Sequence, residues 1–361
     1  MSSVLLLSKG LARYRQNFTT HFAAALPESM QVIACPNDQD GQMWEVDFEA
    51  LKKETGRVLY RDFPRSVEAI AAHKPGLIGI MEYAPPMLRA LWYAKRHHLP
   101  VVVFTEMGAG PPGQPVPLRT RLLHGLVACF THGQVAHSPA AMVPFGACRR
   151  PLIFAPHSID TTEFTPRSWP SSSAPCRILC VAQYVERKGQ DFLAEALQRL
   201  KAAGVEFTLR LVGNNADQTW IRHVVSQAGL EAQTTITGPR MGQDLVEEFQ
   251  QADLFVLPSR FDTYGVVTQE AAASGLPLLI SKHAGSSVNL VREGENGAVV
   301  DPANIPVFSA RLRDLIMQPE RWPAMGARSR SLAEAFCVRR IGREVAQWMM
   351  ALPQCRNLAD A

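Results

Sequence analysis

Short β-rich runs recur along this chain, each followed by a longer helix-like stretch. In the first half the runs fall at residues 4–7, 31–34, 58–60, 77–81 and 101–105; in the second they fall at 177–181, 208–212, 235–237, 254–257, 277–280 and 297–300. A strand with one wet face alternates polar and apolar residues, whereas a strand that is apolar throughout is covered on both faces. Repeated β-α-β units of this kind predict parallel sheets with helices on both faces and right-handed crossovers. With 361 residues there is room for two such domains, each with its own core. The fold class read from the sequence is α/β, with two doubly wound, Rossmann-like domains facing a cleft. Such sheets bind ligands at the carboxyl ends of their strands, where helix N-termini converge and present N–H groups.

The stretch Thr165-Pro-Arg-Ser-Trp-Pro-Ser-Ser-Ser-Ala-Pro175 lacks apolar periodicity and has the composition of a linker. It predicts an N-terminal domain over residues 1–165 and a second domain over 166–340, followed by a helical segment over 341–361. A net charge of +4 suits a protein that handles anionic small molecules or touches an anionic membrane, and is too weak to indicate nucleic acid. The seven cysteines are scattered without a Cys-x-x-Cys pair, so neither a disulfide framework nor a zinc site is indicated. The apolar start at residues 4–7 is too short for a signal-peptide core, and no stretch approaches the roughly 18 apolar residues of a membrane span. The expected location is cytoplasmic, with peripheral contact at the inner face of a membrane left open. Residues 118–130 can be read in two ways: as a basic-led helix lying in an anionic interface, or as a domain helix with a polar end.

The chemistry concentrates between Leu254 and Pro302. A strand ends at Pro258-Ser259, a loop carries Asp262 and closes at Gly265, and a helix bearing Glu270 then runs to Gly275, with Pro277 preventing its continuation. N–H groups around Tyr264, Gly265 and Val266 would face a diphosphate, and Gly265 lets a ligand approach the backbone. The Asp262 carboxylate can accept from sugar hydroxyls, and Glu270 can accept from the vicinal diol of a ribose. The plainer alternatives are a helix N-cap for Asp262 and a solvated helix face for Glu270.

This block resembles glycosyltransferase family 4, which carries a Glu-x7-Glu motif at this place, followed by an Ala-rich helix, Gly, a small residue and Pro. Here the pair is Asp262 and Glu270, so the first position is one methylene shorter. The segment from Ile178 through Arg187-Lys188-Gly189 resembles the family's first C-domain strand and its phosphate-binding loop. The resemblance places Lys188 on the donor diphosphate and puts Gln183 where Arg is frequent, leaving Arg187 to compensate. Leu209-Arg-Leu-Val-Gly213 is similar to the next strand and its glycine turn, and Thr237-Gly238-Pro239-Arg240 falls where the family cradles the base by backbone contacts. Residues 155–164 resemble the segment before the interdomain linker. The likeness is good over roughly residues 130–305 and weak before them.

The resemblance implies a GT-B enzyme of retaining type. It would move a sugar from a nucleotide-diphosphate sugar to a hydroxyl of a glycan, a lipid-linked acceptor or a small molecule, without a cofactor or bound metal. It places the acceptor on the N-terminal domain, with Gly10 in the loop after the first strand. Glu106 follows the strand after which the family often has a His, and is read either as lining the acceptor site or as a plain strand-end carboxylate. His137 opens a His-Ser-Pro turn and is read as a helix cap. The segment 337–352, helical in period, is expected to cross back to the N-terminal domain. Two other readings stay open: a nucleotide-sugar-binding protein without catalysis, and a GT-B nucleotide-sugar epimerase. A Rossmann dehydrogenase is disfavoured, because Ser8-Lys-Gly-Leu-Ala12 is not a Gly-x-Gly-x-x-Gly loop.

Overall fold

Every run read as a strand forms one, and all the pairings are parallel. The computed structural model describes residues 2–8, 10, 12–36, 56–81, 87–106, 117–142, 150–169, 175–214 and 218–358. The chain divides into two compact units: Met1–Asp160 together with Cys337–Ala361, and Thr161–Phe336.

In the first unit the order is β1 (Ser2–Ser8), α1 (Arg13–Ala25), β2 (Met30–Pro36), β3 (Val58–Tyr60), α2 (Val67–Ala72), β4 (Pro75–Met81), α3 (Met87–Arg96), β5 (Val101–Thr105), α4 (Leu118–Phe130), β6 (Gly133–Ala136) and β7 (Leu152–Phe154). They build a seven-stranded sheet ordered β3-β2-β1-β4-β5-β6-β7. Strands β6 and β7 are the two that sequence patterning missed. Gly133-Gln134-Val135-Ala136 starts on Gly and carries a polar residue, and β7 is Leu152-Ile153-Phe154, apolar but only three residues long. Gln134 is nevertheless buried, because its side-chain amide donates to the Ala141 carbonyl at 2.8 Å. One core beneath this sheet joins Leu5, Leu7, Ile78, Ile80, Val101 and Val103 to Ile70 of α2, to Leu91 and Ala94 of α3, and to Val127 of α4.

The second unit contains β8 (Cys176–Val181), α5 (Gln190–Ala202), β9 (Phe207–Val212), α6 (Thr219–Gln227), β10 (Thr234–Thr237), α7 (Gly242–Gln251), β11 (Leu254–Leu257), α8 (Val267–Ala273), β12 (Leu278–Ser281), α9 (Ser287–Leu290), β13 (Gly297–Val300), α10 (Ile305–Ile316) and α11 (Trp322–Ala335). Its six strands run in the order β10-β9-β8-β11-β12-β13. All four residues of β11 are fully buried. Each such side chain contributes about 1.5–3 kcal/mol relative to exposure, which is why the central strands are apolar on both faces. The described part of the Pro/Ser-rich stretch belongs to this unit, since the Arg167 side chain is anchored in it. Its guanidinium pairs with Asp253 at 2.7 Å and also bonds the Ala252 carbonyl, while its backbone N–H donates to Ser274 O at 2.9 Å. Residues 170–174 of that stretch lie outside the described residues.

After α11 the chain re-enters the first unit as α12 (Val338–Ala351). Its buried residues Val338, Ile341, Gly342, Val345, Ala346 and Met349 recur at helical spacing on one face. Gly342 lies against the backbone of His21 and Phe22 in α1, where a Cβ would come within 2.9 Å of the Phe22 nitrogen. Re-entry is locked by Val338 N–H donating to Ile159 O at 2.9 Å. Most of the described cysteines behave as small apolar residues: Cys35, Cys176, Cys180 and Cys355 are buried, and burial pushes the thiols of Cys35 and Cys180 up to about 12.

Candidate functional site

A doubly wound sheet has one place where neighbouring strands send their crossovers in opposite directions, and ligands settle outside the carboxyl ends there. In the second unit that place lies between β8 and β11, and the loops leaving these two strands carry Lys188 and Asp262. After β8 a single 3-10 turn, Glu186–Lys188, leads to Gly189 at φ +68°, where α5 begins. A Cβ on Gly189 would lie 2.0 Å from the Pro258 carbonyl oxygen, so glycine is what lets the β8 and β11 loops touch.

The two loops are then laced together. Arg260 donates its backbone N–H to Arg187 O at 3.0 Å and a guanidinium N–H to Glu186 O at 2.8 Å. The same guanidinium forks onto both oxygens of Asp191 at 2.6 and 2.5 Å and lies 3.8 Å over the Phe192 ring. Arg187, itself exposed, returns a bond to Phe261 O at 3.0 Å. Inside this lacing, Lys188 Nζ and a carboxylate oxygen of Asp262 form an ion pair, with side chains only 13% and 10% exposed. Asp262 is held from the β12 side as well: its N–H donates to His283 O at 3.0 Å and its carbonyl accepts from Gly285 N–H at 3.2 Å. It is not the helix cap, because the residue capping α8 is Val266 and no side chain caps that helix.

Gly265 has φ +84°, and a Cβ there would meet a Leu257 methyl at 2.9 Å. The Tyr264 ring is buried and its hydroxyl accepts from Asn289 Nδ2 at 3.0 Å, and burial pushes the phenol above its usual range. The ring therefore serves the core, and Tyr264 can offer a ligand only its backbone. Glu270 stands partly exposed in the first turn of α8. Gly213 follows β9 and packs so tightly that a Cβ would lie 2.0 Å from Ala182 O. The Gln183 carbonyl accepts from Gln190 Nε2 at 2.8 Å. Arg240 is exposed and reaches Glu248 at 3.4 Å, a carboxylate that Arg210 already grips at 2.5 and 2.6 Å.

In the first unit, the Gly10 carbonyl accepts from Ser8 Oγ at 3.2 Å, while Lys9 and Leu11 lie outside the described residues. Glu106 sits just past β5 between Arg15 Nη2 at 2.7 Å and His157 Nε2 at 2.8 Å. Burial opposes its charge, but His157 and Arg15 outweigh burial and hold the carboxyl well below the usual range. Sequence reasoning singled out Glu106 but neither of its partners. His157 was visible only as part of Ala155-Pro-His-Ser-Ile-Asp160, and Arg15 stands in α1, far from Glu106 in sequence. With Tyr14 and Ser158 these residues line a small pocket at the carboxyl edge of the sheet. Ser158 Oγ is buried and has no hydrogen-bond partner among the described residues.

His137 is not the cap expected of it. Ser138 Oγ takes that role, accepting from Ala141 N–H at 3.2 Å, because a short hydroxyl reaches the turn and an imidazole does not. The His137 ring goes inward instead, stacked on His157 at 4.6 Å, with Nδ1 2.7 Å from Ala155 O. Burial, with a smaller contribution from the neighbouring His157, lowers its pKa to about 3. This depressed value costs stability only where the unfolded chain can take up the proton, that is, as pH falls below the ordinary histidine value of about 6.5. Between pH 7.5 and 5.5 this residue alone is expected to remove about 1.4 kcal/mol. Urea unfolding of wild type and His137→Phe at both pH values checks this: the variant should lose less stability by that amount, and equal losses would contradict a neutral buried His137. Among the described residues, no group of three or more His, Cys, Asp or Glu side chains is placed to hold a metal ion.

Two doubly wound, all-parallel domains are the architecture of the GT-B fold. Residues 162–332, within the second unit, match the family model described as Glycosyl transferases group 1. The whole chain has the fold of sucrose-phosphate synthase from Thermosynechococcus elongatus, with a TM-score of 0.77 at 16% identity over 100% of both chains. It likewise matches HepE of Anabaena in complex with UDP, with a TM-score of 0.77 at 17% identity over 98% of this chain and 100% of that one. A GDP-mannose-dependent alpha-(1-6)-phosphatidylinositol monomannoside mannosyltransferase of Mycolicibacterium smegmatis is 28% identical over 199 residues, 50% of this chain and 51% of that protein. A D-inositol 3-phosphate glycosyltransferase of Rhodococcus jostii is 31% identical over 156 residues, 41% of this chain and 34% of that protein. The chain thus spans about half the length, or less, of these curated relatives.

Proposed function

We propose that this protein is a retaining glycosyltransferase that takes its sugar from a nucleotide-diphosphate sugar held on the second unit. The observation that carries the reading is the Lys188–Asp262 ion pair at the β8/β11 switch point. A sugar diphosphate satisfies both members at once, because a phosphate oxygen takes over the ammonium and a sugar hydroxyl donates to the carboxylate. In the transfer step the acceptor oxygen bonds to the anomeric carbon as the bond from that carbon to the phosphate oxygen breaks. The diphosphate leaves with the electron pair, and one of its oxygens takes the acceptor proton. Lys188, with Arg187 beside it, stabilises the charge that develops on the leaving group. Glu270 holds the ribose diol, and backbone groups at Gly265 and Val266 face the phosphates.

The acceptor is assigned to the first unit, at the pocket of Tyr14, Glu106, His157 and Ser158. Glu106 then orders Arg15 and His157 as a charged carboxylate. One of the relatives named above uses GDP-mannose, and one of the fold neighbours was solved with UDP. Both bases therefore belong in the test, and lipid-linked and soluble acceptors both belong in the screen.

The deciding experiment is a thermal-shift panel of UDP, GDP, ADP and dTDP with their common sugars, on wild type and Glu270→Ala. A ligand at a hundred times its dissociation constant stabilises by about 2.7 kcal/mol, an easily measured shift. One nucleotide series should stabilise wild type and bind at least tenfold more weakly to the variant. Absence of any shift would remove the donor site. A shift without turnover of any donor, hydrolysis included, would make the chain a binding protein.

A further inference from the structure

In the pocket at the carboxyl edge of the first sheet, the two oxygens of Glu106 are unevenly used. Arg15 Nη2 and His157 Nε2 both lie on Oε1, at 2.7 and 2.8 Å. Oε2 takes no hydrogen bond or ion pair among the described residues. The acid is also the most open member of the cluster: its side chain is 21% exposed, against 14% for Arg15 and 6% for His157. His157 is kept from turning toward a ligand, because its ring is stacked on His137 at 4.6 Å and meets the Tyr14 ring edge-on at 4.8 Å. Arg15 donates its Nε–H to the Tyr14 hydroxyl at 3.3 Å as well.

Ser158 supplies a second unused group. It is buried, and its hydroxyl lines the same pocket with no hydrogen-bond partner among the described residues. A buried hydroxyl left unpaired costs stability, and a ligand in the pocket is what can pair it. The wall behind these two groups is apolar, since Phe18, Met81, Phe104 and Pro156 are all buried. Apolar walls with a few placed polar atoms are the usual lining of a small-molecule site.

An ionised carboxylate oxygen can only accept, whereas a serine hydroxyl can accept or donate. A ligand hydroxyl suits both, because it donates its proton to Oε2 and its oxygen can accept from Ser158. A phosphate or carboxylate would bring a like charge against Oε2, and an ammonium would find the Glu106 charge already matched by Arg15 beside it. We infer that the group this pocket admits is an uncharged hydroxyl, so that the acceptor presents a neutral sugar ring there rather than a phosphorylated, acidic or amino sugar. This choice rests on the acceptor reading of the pocket, but sugar binding is measured without a donor, so the donor site can fail separately.

The test is a saturation-transfer NMR titration of the full chain, free of nucleotide. The probes are the methyl glycosides of glucose, galactose and mannose, set against glucose 1-phosphate, glucose 6-phosphate, mannose 6-phosphate, glucuronate and glucosamine. At the ring position that enters the pocket, a charged substituent should weaken binding about tenfold relative to the neutral parent. Glu106→Gln should bind the parent less well and lose most of the discrimination against the anions. Ser158→Ala should weaken binding of the parent about tenfold and keep that discrimination. Its melting temperature should hold or rise, because an unpaired buried hydroxyl is gone; a serine that only supports the fold would show the reverse. A charged derivative that binds more tightly than its parent would overturn the neutral class alone. Parents and derivatives that bind alike would also overturn it, as would variants that bind as wild type does. Neutral sugars that do not bind at all would remove the acceptor pocket together with the inference, whereas failure of the nucleotide panel leaves both standing.

Discussion

Gly189→Ala is expected to cost the C-terminal unit roughly 3–5 kcal/mol, a left-handed alanine and a backbone clash each contributing. The new methyl would stand 2.0 Å from the Pro258 carbonyl oxygen, a main-chain atom that cannot swing aside, at φ +68°. To relieve the clash the β8 and β11 loops must part, which also parts Lys188 from Asp262. The nucleotide-induced thermal shift should therefore fall with the stability. Gly204→Ala is the matching control: its φ is +73°, yet nothing lies within 4 Å of a Cβ there. It should cost only about 1–2 kcal/mol, the left-handed penalty alone. Urea unfolding of the two variants measures the difference, and equal losses would show that the loops tolerate separation.

Lys188→Met is expected to reduce kcat by about 10²–10³-fold, the cost of removing one preorganised stabiliser of developing charge. The variant should still show a nucleotide-induced thermal shift, because Glu270 and the loop backbone remain. It also leaves the Asp262 carboxylate largely buried beside a methyl group, so some stability is lost with the activity. Adding Asp262→Asn, with Asp262→Asn alone as the reference because that carboxylate also holds the donor sugar, tests whether lost stability explains the lost activity. If Lys188 acts on the leaving diphosphate, the double variant regains stability and stays slow. Recovery of kcat in the double variant would reduce Lys188 to a structural partner of Asp262.

The β-α-β rhythm carried most of the architecture, because strands buried on both faces leave an apolar run that periodicity detects. Where burial is secured by a polar group the rhythm goes silent: Gln134 in β6 is satisfied by a carbonyl seven residues away, which no local pattern records. Arg167 lies within a Pro/Ser-rich stretch with the composition of a linker, yet its side chain is fixed to Asp253. The β8 and β11 motifs pointed to Lys188 and Asp262 separately. Only the strand order, with β8 beside β11, shows that they meet. The shortened acid at position 262 reads differently in three dimensions, since the aspartate is long enough to reach Lys188. Tyr264 has its ring in the core, so the motif's loop can offer a ligand only that residue's backbone. The Arg15–Glu106–His157 cluster stayed hidden, as its members are far apart in sequence and belong to no motif.

The return of α12 to the first unit has a consequence for how the protein is made. The unit that begins the chain is missing a helix until residues 338–351 have been synthesised, whereas Thr161–Phe336 is one uninterrupted segment. At about 5–20 residues per second, the ribosome takes on the order of 10–35 s to traverse that segment. For that interval the surface of α1 that will receive Gly342 has no covering helix, while the second unit can close as soon as it emerges. Of the two units, the one completed last is therefore the one whose synthesis starts earlier.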